Sequence, residues 1–229
     1  MPVLEKIVIA DFRNIQLQEI DFSPNINCIS GNNGEGKTNL LDAIYYMSMT
    51  KSTFASSDKV NIRHGNEEFS LAGTYRMTNG LSSRFALKMN AKGEKKVKRD
   101  EKFYQKVSEH VGVLPVVMVS PADVSMVSES GDERRRFVNA VLSQMDREYM
   151  SAMQQYNRLL LQRNRMLKDP VVDRSLLEVM DMRMSSLAQP IYERRKQFIE
   201  DLKPIVAEYY RSLSGDSEQV NIEYESELS

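Results

Sequence analysis

The residues best equipped for chemistry are Gly31, Asn32, Asn33, Gly34, Glu35, Gly36, Lys37 and Thr38. They fit the pattern G-x-x-x-x-G-K-[ST], in which glycines let the backbone curl until successive N–H groups converge on phosphate oxygens. Lys37 would reach the β- and γ-phosphates of a nucleoside triphosphate, and Thr38 would offer its hydroxyl to Mg²⁺. Asn33, next to the tip, can aim its amide at the γ-phosphate. Asn39 opens the helix just beyond, whose positive end adds to the attraction. A Gly-rich turn that binds nothing is the bland alternative, and the flanks weigh against it.

Two arginines stand near this loop in the sequence order of the predicted elements. Arg13 lies in the turn Asp11-Phe12-Arg13-Asn14, where it either reaches a phosphate or the base, or is an ordinary surface arginine. Arg63 follows a Ser/Thr-rich connection, Ser52 to Ser57, in the stretch Val60-Asn61-Ile62-Arg63-His64-Gly65. Loops carry function more often than cores do.

The elements that must hold these residues can be read from periodicity. Leu4–Ile9, Leu17–Phe22 and Ile26–Ile29 read as strands, the last entering the loop, with Cys28 as a small core residue on it. Leu40, Leu41, Ile44 and Met47 mark the helix that leaves it. Residues 68–77, 81–89 and a run around Val97 alternate apolar and polar positions about Asn79-Gly80 and Gly93, which predicts an antiparallel meander. Leu114 to Val119 is a near-continuous apolar run, the pattern of a strand buried on both faces. Where a P-loop enzyme would end such a run in the Mg²⁺-holding Walker B acid, this chain has Ser120.

From Asp132 onward the spacing is helical. Residues 134–144, 149–168 and 173–213 read as an antiparallel helical appendage, with Asp173 as N-cap and Gly215 as stop. Pro190 and Pro204 should kink or divide the last helix. Residues 221–224 read as a strand starting back toward the main sheet and cut short.

Charge narrows the function classes. Thirty-one basic and 32 acidic residues among 229 leave a formal net charge of -1, so a polyanion must be held locally. From Lys88 to Lys106 there are eight bases against three acids, and Lys88, Lys92, Lys95, Lys96, Lys98 and Arg99 are the candidates for DNA-backbone contact. A solvated face is the ordinary role of such a run. A single cysteine excludes an internal disulfide framework, and two isolated histidines argue against a protein-built zinc site. With 41% hydrophobic residues, no apolar run of membrane-spanning length and no signal-peptide pattern, a soluble cytoplasmic protein is expected.

Several of these stretches together resemble the RecF family of bacterial DNA repair proteins: Asp11-Phe12-Arg13-Asn14, the run from Gly31 to Ile44, Ile62-Arg63-His64-Gly65, Val119-Ser120-Pro121-Ala122-Asp123, Glu133-Arg134-Arg135-Arg136-Phe137, and Tyr156-Asn157-Arg158-Leu159-Leu160 with Gln162-Arg163-Asn164. RecF proteins are similar to the heads of Rad50 and SMC proteins. The resemblance therefore implies an α/β P-loop NTPase of the ABC/Rad50-like class, with an antiparallel β meander and a helical arm. In that reading residues 1–122 are the N-terminal part of the ATPase lobe, 123–215 the arm, and 216–229 the start of a return to the lobe. The resemblance implies ATP and Mg²⁺ as cofactors, an ATP contact for Arg13 and a nucleotide or DNA contact for Arg63.

The same resemblance implies an ATP-dependent homodimer on gapped, single-stranded, duplex or junction DNA. It implies partnership with RecR, RecO and RecA, and roles in replication-fork maintenance and the SOS response. The full-length family is a weak DNA-dependent ATPase. Its signature, Walker B and D-loop motifs lie later than this sequence extends, so negligible turnover is expected here. The alternatives are a stand-alone P-loop phosphotransferase, another SMC/Rad50-like head or, more weakly, a transporter ATPase.

Overall fold

Alternation of apolar and polar side chains builds the sheet that carries the loop. A computed structural model describes residues 1–128 and 131–226. It divides into two compact units, Met1–Ala122 and Asp123–Ser229.

In the first unit six strands form one sheet in the order β2-β1-β3-β4-β5-β6, every neighbouring pair antiparallel. The strands are β1 (Val3–Phe12), β2 (Ile15–Asp21), β3 (Glu68–Arg76), β4 (Ser82–Asn90), β5 (Lys95–Arg99) and β6 (Lys102–Phe103). The pleat sends Ile7 and Ile9, Phe69 and Leu71, Phe85, Leu87 and Met89, and Val97 to one face. Against that core pack Leu40, Ala43, Tyr46 and Met47 of helix α1 (Lys37–Met49). Phe12, Tyr46 and Phe69 meet edge to face, with centroids 5.1 to 6.0 Å apart, so the end of β1 is fixed to the helix that follows the loop.

Three predicted strands are not formed. Residues 26–29, 115–120 and 221–224 have no regular secondary structure. Ile26 is 87% exposed and Val119 80%, and Cys28 is exposed rather than a core residue. The physical reason is that an apolar run becomes a strand only beside another strand. All six strands of the first unit pair among themselves, and residues 26–29 and 115–120 of that unit take no part in the sheet.

The second unit is helical, with α2 (Ser125–Ser128), α3 (Gly131–Met145), α4 (Arg147–Met166) and α5 (Arg174–Ser214). Asp146 caps α4 by accepting from the amides of Glu148 and Tyr149, and Asp173 caps α5 by accepting from Leu176 N. Gly215, at φ 63°, ends α5. Arg163 bonds Asp181 at 2.6 Å and Arg194 bonds Asp146, so α4 and α5 run antiparallel. Their interior is Leu142, Tyr149 and Ile191, with Phe198 against them.

Pro190 and Pro204 do not divide α5, contrary to the expectation from sequence. Contacts to α4 on both sides of Pro190, through Asp181 before it and Arg194 and Arg195 after it, hold the helix across the missing N–H. Pro204 is on the exposed side, where the freed carbonyl can be solvated.

Candidate nucleotide-binding site

The loop from Gly31 to Gly36 delivers the chain to the N-terminus of α1. Gly34 and Gly36 sit at φ 87° and 99°, in the left-handed region where a side chain would be strained. A Cβ on Gly36 would also lie 2.8 Å from Asn14 Oδ1. No side chain caps α1, and its first intrahelical bond is Leu40 N to Gly36 O. The amides of Lys37, Thr38 and Asn39 therefore have no acceptor within the helix, which is the arrangement an anion satisfies.

Lys37 lies across the loop and donates from Nζ to the carbonyls of Gly31 (2.7 Å) and Asn32 (2.6 Å). An ammonium parked on loop carbonyls is within the loop's own span of any phosphate seated there. Glu35 closes the loop from the other side, accepting from Asn32 N and Asn32 Nδ2, each at 2.8 Å. Those two bonds, side chain first, hold its carboxyl below the ordinary value. Asn33 and Thr38 are exposed at the rim. The loop thus fits a polyphosphate, with Lys37 and the first-turn amides as donors and Thr38 available to a nucleotide-bound Mg²⁺. Among the described residues no group of three or more His, Cys, Asp or Glu is disposed to hold a metal by itself.

Behind the loop lies a network organised by Arg13. Its Nε donates to Asn61 Oδ1 (3.0 Å), one Nη to Asn39 Oδ1 (2.9 Å), and the other to Asp42 Oδ2 (2.6 Å) and Ser52 Oγ (2.9 Å). Asp42 is fully buried on α1 and also accepts from Ser52 Oγ and Thr53 N. Asn39 in turn donates to Asn14, and Asn14 to the carbonyl of Gly34. Arg13 and Asp11 adopt left-handed φ of 53° and 54°, a local strain that the surrounding bonds sustain.

Four of the five N–H donors of Arg13 are engaged in this network, which leaves one hydrogen on the Nη that bonds Asn39 for the phosphate or base contact expected of it. The network also links Arg13 to the loop through Asn39 and Asn14. Backbone bonds from Arg13 N to Asn61 O and from Arg63 N to Asp11 O, each 2.8 Å, bring the 61–63 segment to the same place. Among the described residues the Arg63 side chain meets no hydrogen-bond or ion-pair partner. Sequence reasoning missed Asp42, Ser52, Asn61 and Asn14; only the Ser/Thr-rich connection hinted at Ser52.

The basic run divides across the sheet. In register, Lys88 stands opposite Lys96 and Ala86 opposite Lys98, all on the face turned away from α1, where Arg84 also lies. Lys92 is exposed in the turn before β5. Lys95 and Arg99, also candidates for DNA-backbone contact, are on the other face, opposite Met89 and Phe85. Lys95 is only 15% exposed and donates to Thr50 O and to Asp58 Oδ2 (2.9 Å), fastening the end of α1 to the sheet. The Arg99 guanidinium covers the Phe85 ring at 5.4 Å. The reason is the two-residue period of a strand, which sends adjacent lysines to opposite faces.

A family model for an AAA domain matches residues 6–226. The chain belongs to that family. Among curated proteins, the DNA replication and repair protein RecF of Parabacteroides distasonis is 43% identical over 226 residues, which cover 99% of this chain and 62% of that protein. RecF of Porphyromonas gingivalis is 41% identical over the same shares. The chain spans about 62% of the length of these relatives. A solved structure of the recombination mediator protein RecF with ATP superposes with TM-score 0.85 at 28% identity, covering 93% of this chain and 58% of that one. A solved SMC ATPase, 18% identical with TM-score 0.51 over 61% of this chain and 99% of that one, shares the fold. This AAA-family chain is thus an α/β P-loop protein that shares the fold of SMC ATPase heads and is similar to RecF along nearly all of its length.

Proposed function

We propose that this chain is the nucleotide-gripping part of a RecF-type DNA repair ATPase. The observation that carries the reading is the uncapped N-terminus of α1 behind Gly31–Thr38, with Lys37 laid over the loop, in a chain similar to a RecF structure solved with ATP. ATP would seat its β- and γ-phosphates on the loop and first-turn amides of residues 34–39, neutralised by Lys37, with Mg²⁺ bridging the phosphates to Thr38. Asn33 would face the γ-phosphate. Arg13 would act by fixing Asn39 and Asn14, and the Arg63 side chain would meet nucleotide or DNA.

The DNA surface in this reading is the sheet face bearing Arg84, Lys88, Lys96 and Lys98, with Lys92 at its corner. Lys88 and Lys96 stand directly opposite one another, and Lys88 is offset by the exposed Glu68 at 3.1 Å while Lys96 is exposed. A phosphate backbone would be drawn to such a face without base contacts, in exchange for exposed pairs such as Lys88–Glu68 and Lys98–Glu101.

The exposed apolar runs 26–29 and 115–119 are the surface on which the further length of the relatives would pack. The Mg²⁺ acid and the dimer's signature segment belong to that further length, so ATP would be bound here and turned over only in the longer protein. The working unit is an ATP-dependent homodimer on gapped or junction DNA in the cytoplasm. There it acts with RecO- and RecR-like proteins to load RecA, which links it to fork maintenance and the SOS response.

The test is DNA affinity of the full-length protein with and without ATP and Mg²⁺. The proposal expects ATP to tighten binding to a gapped duplex and to shift the protein from monomer to dimer in sedimentation. Equal DNA affinity in both conditions, together with ATP binding indifferent to DNA, would favour a small-molecule phosphotransferase instead.

A further inference from the structure

We propose that the helical unit carries a receptor groove for an extended acidic peptide bearing an aromatic side chain. A cavity of about 1380 Å³ lies among α3, α4, α5 and residues 224–226. That exceeds the roughly 300–1,000 Å³ of small-molecule sites and suits a stretch of chain. Its walls include the apolar Met153, Leu160 and Ile191, and Arg195 projects among them.

Arg195 is the exception among the arginines around this groove. Arg135 and Arg136 each pair with a carboxylate, Asp132 and Glu133 respectively. Arg195 is partly buried and donates to Tyr149 Oη (3.0 Å) and Asn139 Oδ1 (2.8 Å), both neutral, and no ion pair to it is found among the described residues. A partly desolvated cation without a counter-charge is costly, and an entering carboxylate removes that cost. One such cation above an apolar floor suits a carboxylate flanked by apolar atoms. A nucleic-acid backbone would instead need a track of unpaired cations.

The chain itself displays how an occupant would sit. Residues 221–226 are irregular in backbone and acidic, with Glu223 and Glu225 flanking Tyr224. The Tyr224 ring lies 5.7 Å from that of Tyr192 at an interplanar angle of 36°. Tyr224 and Arg195 both line the cavity. The groove therefore holds an acidic-aromatic segment at its edge while leaving most of its volume for a second such segment, brought by a partner.

The experiment is fluorescence anisotropy with a labelled hexapeptide Asn-Ile-Glu-Tyr-Glu-Ser added in trans to the intact chain. Wild type should bind it weakly, because its own Tyr224 holds the edge. Tyr224→Ala should bind it about tenfold more tightly. Adding Arg195→Met should abolish binding, and Arg195→Lys should restore part of it. If Arg195→Met unfolds by circular dichroism, the charge requirement is tested from the other side: a peptide with both Glu replaced by Gln should fail to bind Tyr224→Ala. No binding to folded Tyr224→Ala, equal binding of the Gln peptide, or displacement of the peptide by unlabelled oligo-dT at matching concentration would each overturn the proposal. The last would make the groove a nucleic-acid site.

Discussion

Lys95 and Lys96 are neighbours in sequence and opposites in physical situation. On the α1 side of the sheet, Lys95 and Arg13 are held by fixed acceptors, Asp58 and Thr50 for one, Asp42, Ser52, Asn61 and Asn39 for the other. On the opposite side, Lys96 is exposed, and Lys88 pairs with the solvent-facing Glu68. A positive charge on the first side maintains the geometry of the nucleotide loop. On the second it is available to something that arrives from solution. Charge counted along a sequence merges these two roles, and the pleat separates them.

The largest expected effect lies on the α1 side. Arg13→Met leaves Asp42 buried without its cation, and should cost about 3–5 kcal/mol of stability in urea denaturation. A loss under about 1 kcal/mol would show that Arg13 does not organise the loop's support. Lys95→Met removes a shielded ion pair and a bond to Thr50, and should cost about 1–3 kcal/mol. Lys96→Met next to it should change stability by less than about 0.5 kcal/mol, and equal losses at the two positions would erase the contrast.

The α1 side should also be the pH-sensitive one. His110 is fully buried, donates from Nε2 to Met47 O at 2.7 Å, and has no partner on Nδ1 among the described residues. Burial lowers its pKa, so the unfolded chain takes up a proton more readily than the folded one. Its contribution to stability is complete above about pH 6.5 and declines as the pH falls below that. The slope should approach about 1.4 kcal/mol per pH unit at most. Denaturation midpoints of wild type and His110→Gln between about pH 5 and pH 8 would check this, since the substitution should flatten the acid limb. The smallest effect on the fold belongs to Lys96→Gln with Lys98→Gln, which should leave the midpoint in place. The same pair should reduce the salt slope of DNA binding by about 2. An unchanged slope would return these lysines to ordinary surface.

What the sequence made legible follows the range of the interactions involved. The meander, the loop and α1 rest on local alternation, a tight Asn-Gly turn and a glycine pattern, all contained in short windows, and they formed close to where they were expected. The apolar runs at 26–29 and 115–119 carry the right composition for strands, but strand formation depends on a neighbour that no local pattern reports. The continuity of α5 through Pro190 depends likewise on salt bridges to α4 across the bundle. Arg13 was legible as special, but its network to Asp42, Ser52, Asn61 and Asn39 was not, because those partners come from separate segments of the chain. Sequence spacing can show that a cation is near a loop; it does not show which acceptor wins it.

The most direct measurement is isothermal titration of the folded chain with ATP and Mg²⁺, paired with Lys37→Ala. If the loop between residue 31 and α1 holds a triphosphate, wild type gives a single saturable site, and removing the Lys37 ammonium weakens it by about 10- to 100-fold at unchanged stability. No binding heat from wild type across temperatures, or an isotherm that Lys37→Ala leaves unaltered, would contradict it.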